Sequence, residues 1–164
     1  MKRPILNLED VEYARFGQGD RFEAKRGPVS PVIGGEKLAY AVIRVAPGKR
    51  AWPYHAHREI EEAFYVIEGQ GTLRHAGEEY AIRAGDFIAS PADPEQAHQI
   101  INTSDNELVY LAISTQETTD VVHYPDSGKY GVWSGDARDP SAAGNFRVFA
   151  REGTAVGYWD GETD

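Results

Sequence analysis

The sequence contains no cysteine. Disulfides are therefore excluded, and any bound metal must be held by histidine, carboxylate or backbone oxygen rather than by thiolate. No apolar run approaches the ~20 residues needed to span a bilayer. The basic start, MKRPILNLEDVEYARFG, has no apolar stretch long enough for a signal peptide. These absences predict a soluble, cytoplasmic protein with no membrane partner. Positive charge is also short, 17 Lys and Arg against 26 Asp and Glu, for a formal net charge of −9. An acidic surface repels phosphate backbones, and no helix with clustered Lys and Arg reads as a recognition element, so nucleic acid is not an expected partner. Helical periodicity is scarce too, beyond a turn or two over Leu8 to Phe16. There is no nucleophile with a paired base and no glycine-rich phosphate loop.

Apolar residues make up 41% of the 164 positions and charged residues 26%, enough for one packed core in a single domain. Residues 1–37 are polar and broken by Gly27-Pro28, Pro31 and Gly34-Gly35, and read as an amino-terminal arm of short extended pieces. From 38 to 115 come runs rich in β-branched and aromatic residues: LAYAVIRV, AFYVIE, GTLRH, EYAIR, DFIAS, HQIIN and ELVYLAIS. Turn signals separate them, among them Ala46-Pro47-Gly48, Gly69-Gln70-Gly71 and Ala84-Gly85-Asp86. Many short strands with regular turns predict an all-β sandwich or barrel. Residues 116–164 read as a carboxy-terminal extension: a turn over Tyr124 to Gly128, a short strand over Lys129 to Trp133, a Gly- and Asp-rich loop to Gly144, then two aromatic clusters. Those clusters suit docking on the barrel, and an exposed Tyr158-Trp159 suits contact with a partner subunit.

Chemistry concentrates on four residues. His55 and His57 are two apart beside strand-like sequence, so their side chains share a face; Glu62 follows five residues after His57, and His98 lies 41 after it. A histidine on an apolar strand is ordinarily a hydrogen-bonded core residue, but four such residues in this order outweigh that reading. Three neutral imidazoles and one carboxylate suit one divalent transition metal, Fe, Mn, Ni, Cu or Zn, and leave the site with a charge near +1. Such a cation draws an anionic or enolisable oxygen ligand, hence a small-molecule substrate. Glu61 is a rival to Glu62, and strand phase does not separate them, because this strand is apolar on both faces.

The stretch from Gly48 through His55-Ala-His57 and Glu62 to Gly69 resembles the first conserved motif of the cupins: a Gly, His-x-His, a Glu after four intervening residues and a Gly after six more. Gly85-Asp-Phe-Ile-Ala-Ser-Pro91 followed by His98-Gln-Ile-Ile-Asn102 resembles the second. Two agreeing motifs, in order, span residues 38–115. The spacing from Pro91 to His98 is two residues longer than usual, with Asp93 where Gly is expected. The resemblance implies a double-stranded β-helix, or jelly-roll, with the metal near its mouth. It selects Glu62 by its interval to Gly69 and makes His98 the third imidazole.

Within that resemblance the chain is closest to small one-barrel proteins. The implied function is a metal-dependent enzyme of dioxygenase, isomerase or lyase type acting on a small polar or anionic molecule; the alternative is a non-catalytic ligand-binding or sensing module. A homodimer is expected, because strands apolar on both faces need an outer cover and cupins with a long amino-terminal arm commonly pair through it. Trp52, Tyr54 and Tyr40 are candidate pocket residues, Asn102 reads as a turn residue, and His75 and His123 as surface or packing residues.

Overall fold

The computed structural model describes residues 2–136 and 141–162; part of the loop read between Ser134 and Gly144 therefore lies outside the described residues. The chain is almost entirely β. Its strands are β1 (Ala14–Gln18), β2 (Phe22–Pro28), β3 (Leu38–Val45), β4 (Ala56–His57), β5 (Glu62–Glu68), β6 (Gln70–His75), β7 (Glu78–Arg83), β8 (Phe87–Ser90), β9 (His98–Ile101), β10 (Leu108–Thr115), β11 (Thr119–Tyr124), β12 (Lys129–Ser134) and β13 (Phe146–Arg151). Each apolar run between Leu38 and Ser114 is a strand, as its β-branched and aromatic content predicts.

One sheet has the order β1-β2-β3-β10-β5-β8; the others are β7-β6-β9 and β13-β12-β11-β4. Isolated bridges Arg50↔Ile101 and His55↔His98 join β9 to the segment entering β4, so the two smaller sheets form one continuous wall. Between that wall and the large sheet lies the core: Ile43, Val45, Phe64, Val66, Leu108 and Tyr110 from one side, Leu73, Ile82 and Ile100 from the other. This is the jelly-roll arrangement, two antiparallel sheets burying their facing sides.

Residues 1–37 supply β1 and β2, which extend the large sheet through β2–β3 pairing. The expected helix over Leu8 to Phe16 shrinks to a single 3-10 turn, Leu8–Asp10, capped by the Asn7 side chain. Phe16 then joins β1 and packs against the core at Trp52, because burying an aromatic ring outweighs a weak helical tendency. Gly69, between β5 and β6, is required: its φ is +84°, and a Cβ there would lie 2.5 Å from the Glu107 carbonyl oxygen. Asn102 is a fully buried turn residue. Its amide donates to the Val45 and Asn106 carbonyls at 2.8 and 2.7 Å, and its Oδ1 accepts from Ser104. Among the described residues no helix is long and apolar enough to cross a membrane.

Candidate metal centre

Strand pairing brings the four residues together. His55 and His98 exchange both backbone hydrogen bonds, at 3.1 and 2.7 Å, which stacks their rings side by side with centroids 4.6 Å apart. His57 sits on β4, opposite Val122 of β11. Glu62 opens β5 between Ser90 of β8 and Ser114 of β10. Phe64 and Val66 are buried at 4% and 0% exposure while Tyr65 and Ile67 are half-buried and Glu61 is exposed, so the phase that the sequence left open points Glu62 inward.

One atom is the focus. Glu62 Oε2 lies 2.9 Å from His98 Nε2, 3.5 Å from His57 Nε2 and 4.0 Å from His55 Nε2. Despite these distances it is buried without a hydrogen bond in acceptable geometry. His55, Glu62 and His98 each offer a ligand atom within 4.8 Å of the others; His57 falls outside that triplet but faces the same oxygen.

The outer ring nitrogens are held from behind. His55 Nδ1–H donates to the Pro53 carbonyl at 2.8 Å, and His57 Nδ1–H donates to Asp120 Oδ2 at 2.5 Å. Both partners can only accept, so in the neutral rings Nδ1 carries the proton and Nε2 is left to present a lone pair inward. His98 Nδ1 pairs with the Ser90 hydroxyl at 2.7 Å, an oxygen able to accept in the same sense. A buried carboxylate oxygen without a hydrogen bond, faced by three imidazole nitrogens whose other ends are anchored, is a donor set that fits a divalent transition ion.

Asp120 was not apparent from sequence. It is fully buried, and its Oδ1 accepts from the Arg58 and Glu59 amides at 3.2 and 3.1 Å. The available signal was an acidic residue inside Thr119-Asp-Val-Val, a β-branched run where an aspartate needs a buried partner. Asp120 also changes the charge reckoned from sequence: with two carboxylates present, a divalent ion leaves the neighbourhood near neutral rather than at +1.

Without an ion His55, His57 and Glu62 are strongly perturbed by their surroundings. Burial and the nearby His98 depress the His55 pKa to about 4, against the pull of Glu62. Burial also opposes charge on His57, but its bond to Asp120 and the Glu62 carboxylate beside it win and raise its pKa to about 9. Burial would raise Glu62, yet His57 and His98 hold it well below the carboxylate range. Against an unfolded histidine near 6.5, the depressed His55 makes the ion-free protein gain stability as pH rises from about 4 to 6.5. The elevated His57 makes it lose stability as pH rises from 6.5 through about 9. Thermal unfolding of chelator-treated protein is therefore expected to peak near pH 6.5, and a flat profile from pH 5 to 9 contradicts the assignment.

These four residues open on a cavity of about 320 Å3 whose wall includes Trp52, Phe64, Tyr110, Tyr124, Trp133 and Arg147. Trp52 thus lines it as expected, whereas Tyr40 and Tyr54 do not. The Tyr54 hydroxyl accepts from the Gly77 amide and its ring lies under the Arg74 guanidinium at 4.2 Å. His75 lies on β6, outside the cavity, and His123 pairs with Glu152 at 3.0 Å. The longer approach to His98 is closed by Asp93 itself, whose carboxylate accepts from the Glu95 amide at 2.9 Å and the Gln96 side chain at 3.2 Å. This Asx turn replaces the expected glycine, and no residue in that loop has positive φ.

Comparison with known proteins follows the same residues. The cupin domain family matches residues 41–114. An oxalate-binding protein from Thermotoga maritima is 30% identical over 74 residues, 45% of this chain and 59% of the relative. The chain therefore spans little more than half the length of that curated protein. The crystal structure of a sugar phosphate isomerase of the cupin superfamily from Silicibacter pomeroyi superposes with a TM-score of 0.76 at 24% identity, covering 94% of this chain and 98% of that one. A predicted oxalate decarboxylase from Thermotoga maritima superposes with a TM-score of 0.58 at 22% identity, over 68% of this chain and 97% of that one. At these identities the two solved structures establish the fold alone.

Proposed function

We propose that the chain is a cupin, on the match of residues 41–114 to the cupin domain family, and that it is a metal-dependent enzyme acting on a small anionic molecule. One observation carries the proposal: the Nε2 atoms of His55, His57 and His98 face the buried, unbonded Glu62 Oε2 while each Nδ1 is engaged from behind. These four residues would hold one Fe, Mn, Ni, Cu or Zn ion. Such an ion polarises a substrate oxygen and stabilises negative charge developing on it, which suits isomerase, lyase and dioxygenase chemistry alike.

The chain's own groups prepare the cavity for that chemistry. Its volume, about 320 Å3, suits a small substrate. Phe64, Ile100, Ala112 and Val122 make its wall apolar, which excludes water and strengthens electrostatic contacts inside. Tyr110 is 1% exposed and lines the cavity; burial, and then the Glu62 charge, push its pKa up, so its hydroxyl stays protonated and can donate to a substrate oxygen. The name of the curated relative, an oxalate-binding protein, concerns a small anion and supports that class.

A non-catalytic binding module is the second reading, favoured by the oxalate-binding relative. Elemental analysis of protein purified without chelator or metal-affinity resin tests the metal, which the enzyme requires and the binding module can do without. The wild type is expected to carry close to one transition ion per chain, and His55→Ala/His98→Ala almost none. No ion in either protein overturns the metal-dependent enzyme.

A further inference from the structure

We propose that Arg147, on β13 and outside the cupin domain, anchors an anionic group of the substrate, a carboxylate or a phosphate, at the metal cavity. The charge balance around the centre motivates this. The two positive charges of a divalent ion are matched by two buried carboxylates, Glu62 and Asp120, so the ion and its surroundings do not by themselves favour an anion. Arg147 is the one permanent cation among the described residues lining the cavity, and no described carboxylate pairs with it. Arg147 is exposed, so its fork is free to meet an incoming ligand, and in a chain of net charge −9 a guanidinium on the cavity wall with no carboxylate partner among the described residues suits an anion.

The carboxy-terminal strands aim it there. Arg147 pairs directly with Trp133 of β12, so both side chains leave the same face of that sheet, and Trp133 lines the same cavity. Two residues on, Phe149 lies on that face too, and the guanidinium sits 4.8 Å from its ring centroid. The Phe149 ring crosses Gly131, where a Cβ would come within 2.7 Å of it, so glycine makes room for this platform. Phe149 contacts Tyr124 at 6.2 Å between centroids, and Tyr124 stacks on the ligand His55 at 6.0 Å with the rings 19° apart. An aromatic path thus runs from a metal ligand to the guanidinium. A neighbouring cavity of about 440 Å3 shares Val122, Tyr124, Trp133 and Arg147 with the first, so Arg147 stands where the two meet.

Because the inference rests on the metal centre proposed above, metal content is measured in the same samples as binding. Calorimetric titration of wild type, Arg147→Met and Arg147→Lys would use oxalate, 2-phosphoglycolate and neutral glycolamide. Wild type is expected to bind one of the two anions at least tenfold more tightly than glycolamide, and whichever is preferred distinguishes a carboxylate anchor from a phosphate anchor. Arg147→Met should keep its ion and lose about tenfold or more in affinity for that anion. Arg147→Lys should recover part of the loss, since lysine restores the charge but not the planar fork. Arg147→Met binding the anion as wild type does, or wild type preferring neither anion to glycolamide, would falsify the anchor. Arg147-dependent anion binding in protein that holds no ion would support the anchor and sink the metal reading instead.

Discussion

Asp120→Ala is expected to destabilise the protein by about 3–5 kcal/mol in urea unfolding, the usual cost of breaking a buried charged pair from one side. Asp120 is fully buried and accepts three hydrogen bonds: from His57 Nδ1 and from the Arg58 and Glu59 amides. Alanine would leave all three donors in a space that water does not readily enter, which is why the effect exceeds that of losing one hydrogen bond. Asp120→Asn separates stability from metal binding. An asparagine has one acceptor oxygen. Turned toward the two amides, it presents an N–H to His57 and reverses that ring's tautomer; turned toward His57, it confronts the amides with donors. Ion affinity is expected to fall about 10- to 100-fold, the usual effect of losing a partner behind a ligand. Unchanged affinity in Asp120→Asn would detach Asp120 from the metal centre.

Removing the ion is expected to lower the melting temperature by about 5–10 °C. An ligand that binds only the folded state stabilises by about 2.7 kcal/mol at one hundred times its Kd, and each kcal/mol is worth about 2–4 °C in a chain of this size. The comparison is wild type with and without chelator beside His98→Ala treated the same way. The variant should start lower and show no further shift, because its imidazole is missing before the chelator is added. An equal chelator shift in both proteins would place the stabilising ion elsewhere.

Much of this was legible along the chain. The runs from LAYAVIRV to ELVYLAIS announced their strands, because β-branched and aromatic residues between turn residues have few other ways to bury themselves. His55, Glu62 and His98 were legible as a candidate metal group because their chemistry and spacing are local properties. The strand β11 was not. Thr119-Asp-Val-Val-His-Tyr is interrupted by an acid, which breaks the apolar run that marks the other strands. In the fold the acid is what makes the strand useful, since pairing of β11 with β4 brings Asp120 against His57 across 63 residues. Asp93 shows the reverse case: a departure from the motif that its own side chain makes harmless by forming the turn.

By itself, then, the sequence determined which donors are available and that a β sandwich or barrel would carry them, the jelly-roll following from the resemblance to the cupins. Donor type belongs to each side chain, and alternation belongs to any extended backbone. Only the tertiary structure decided what stands behind each imidazole and that Arg147 from the last strand overlooks the cavity. Those are contacts between segments far apart in the chain, set by which sheet edges pair, and no local rule encodes that pairing.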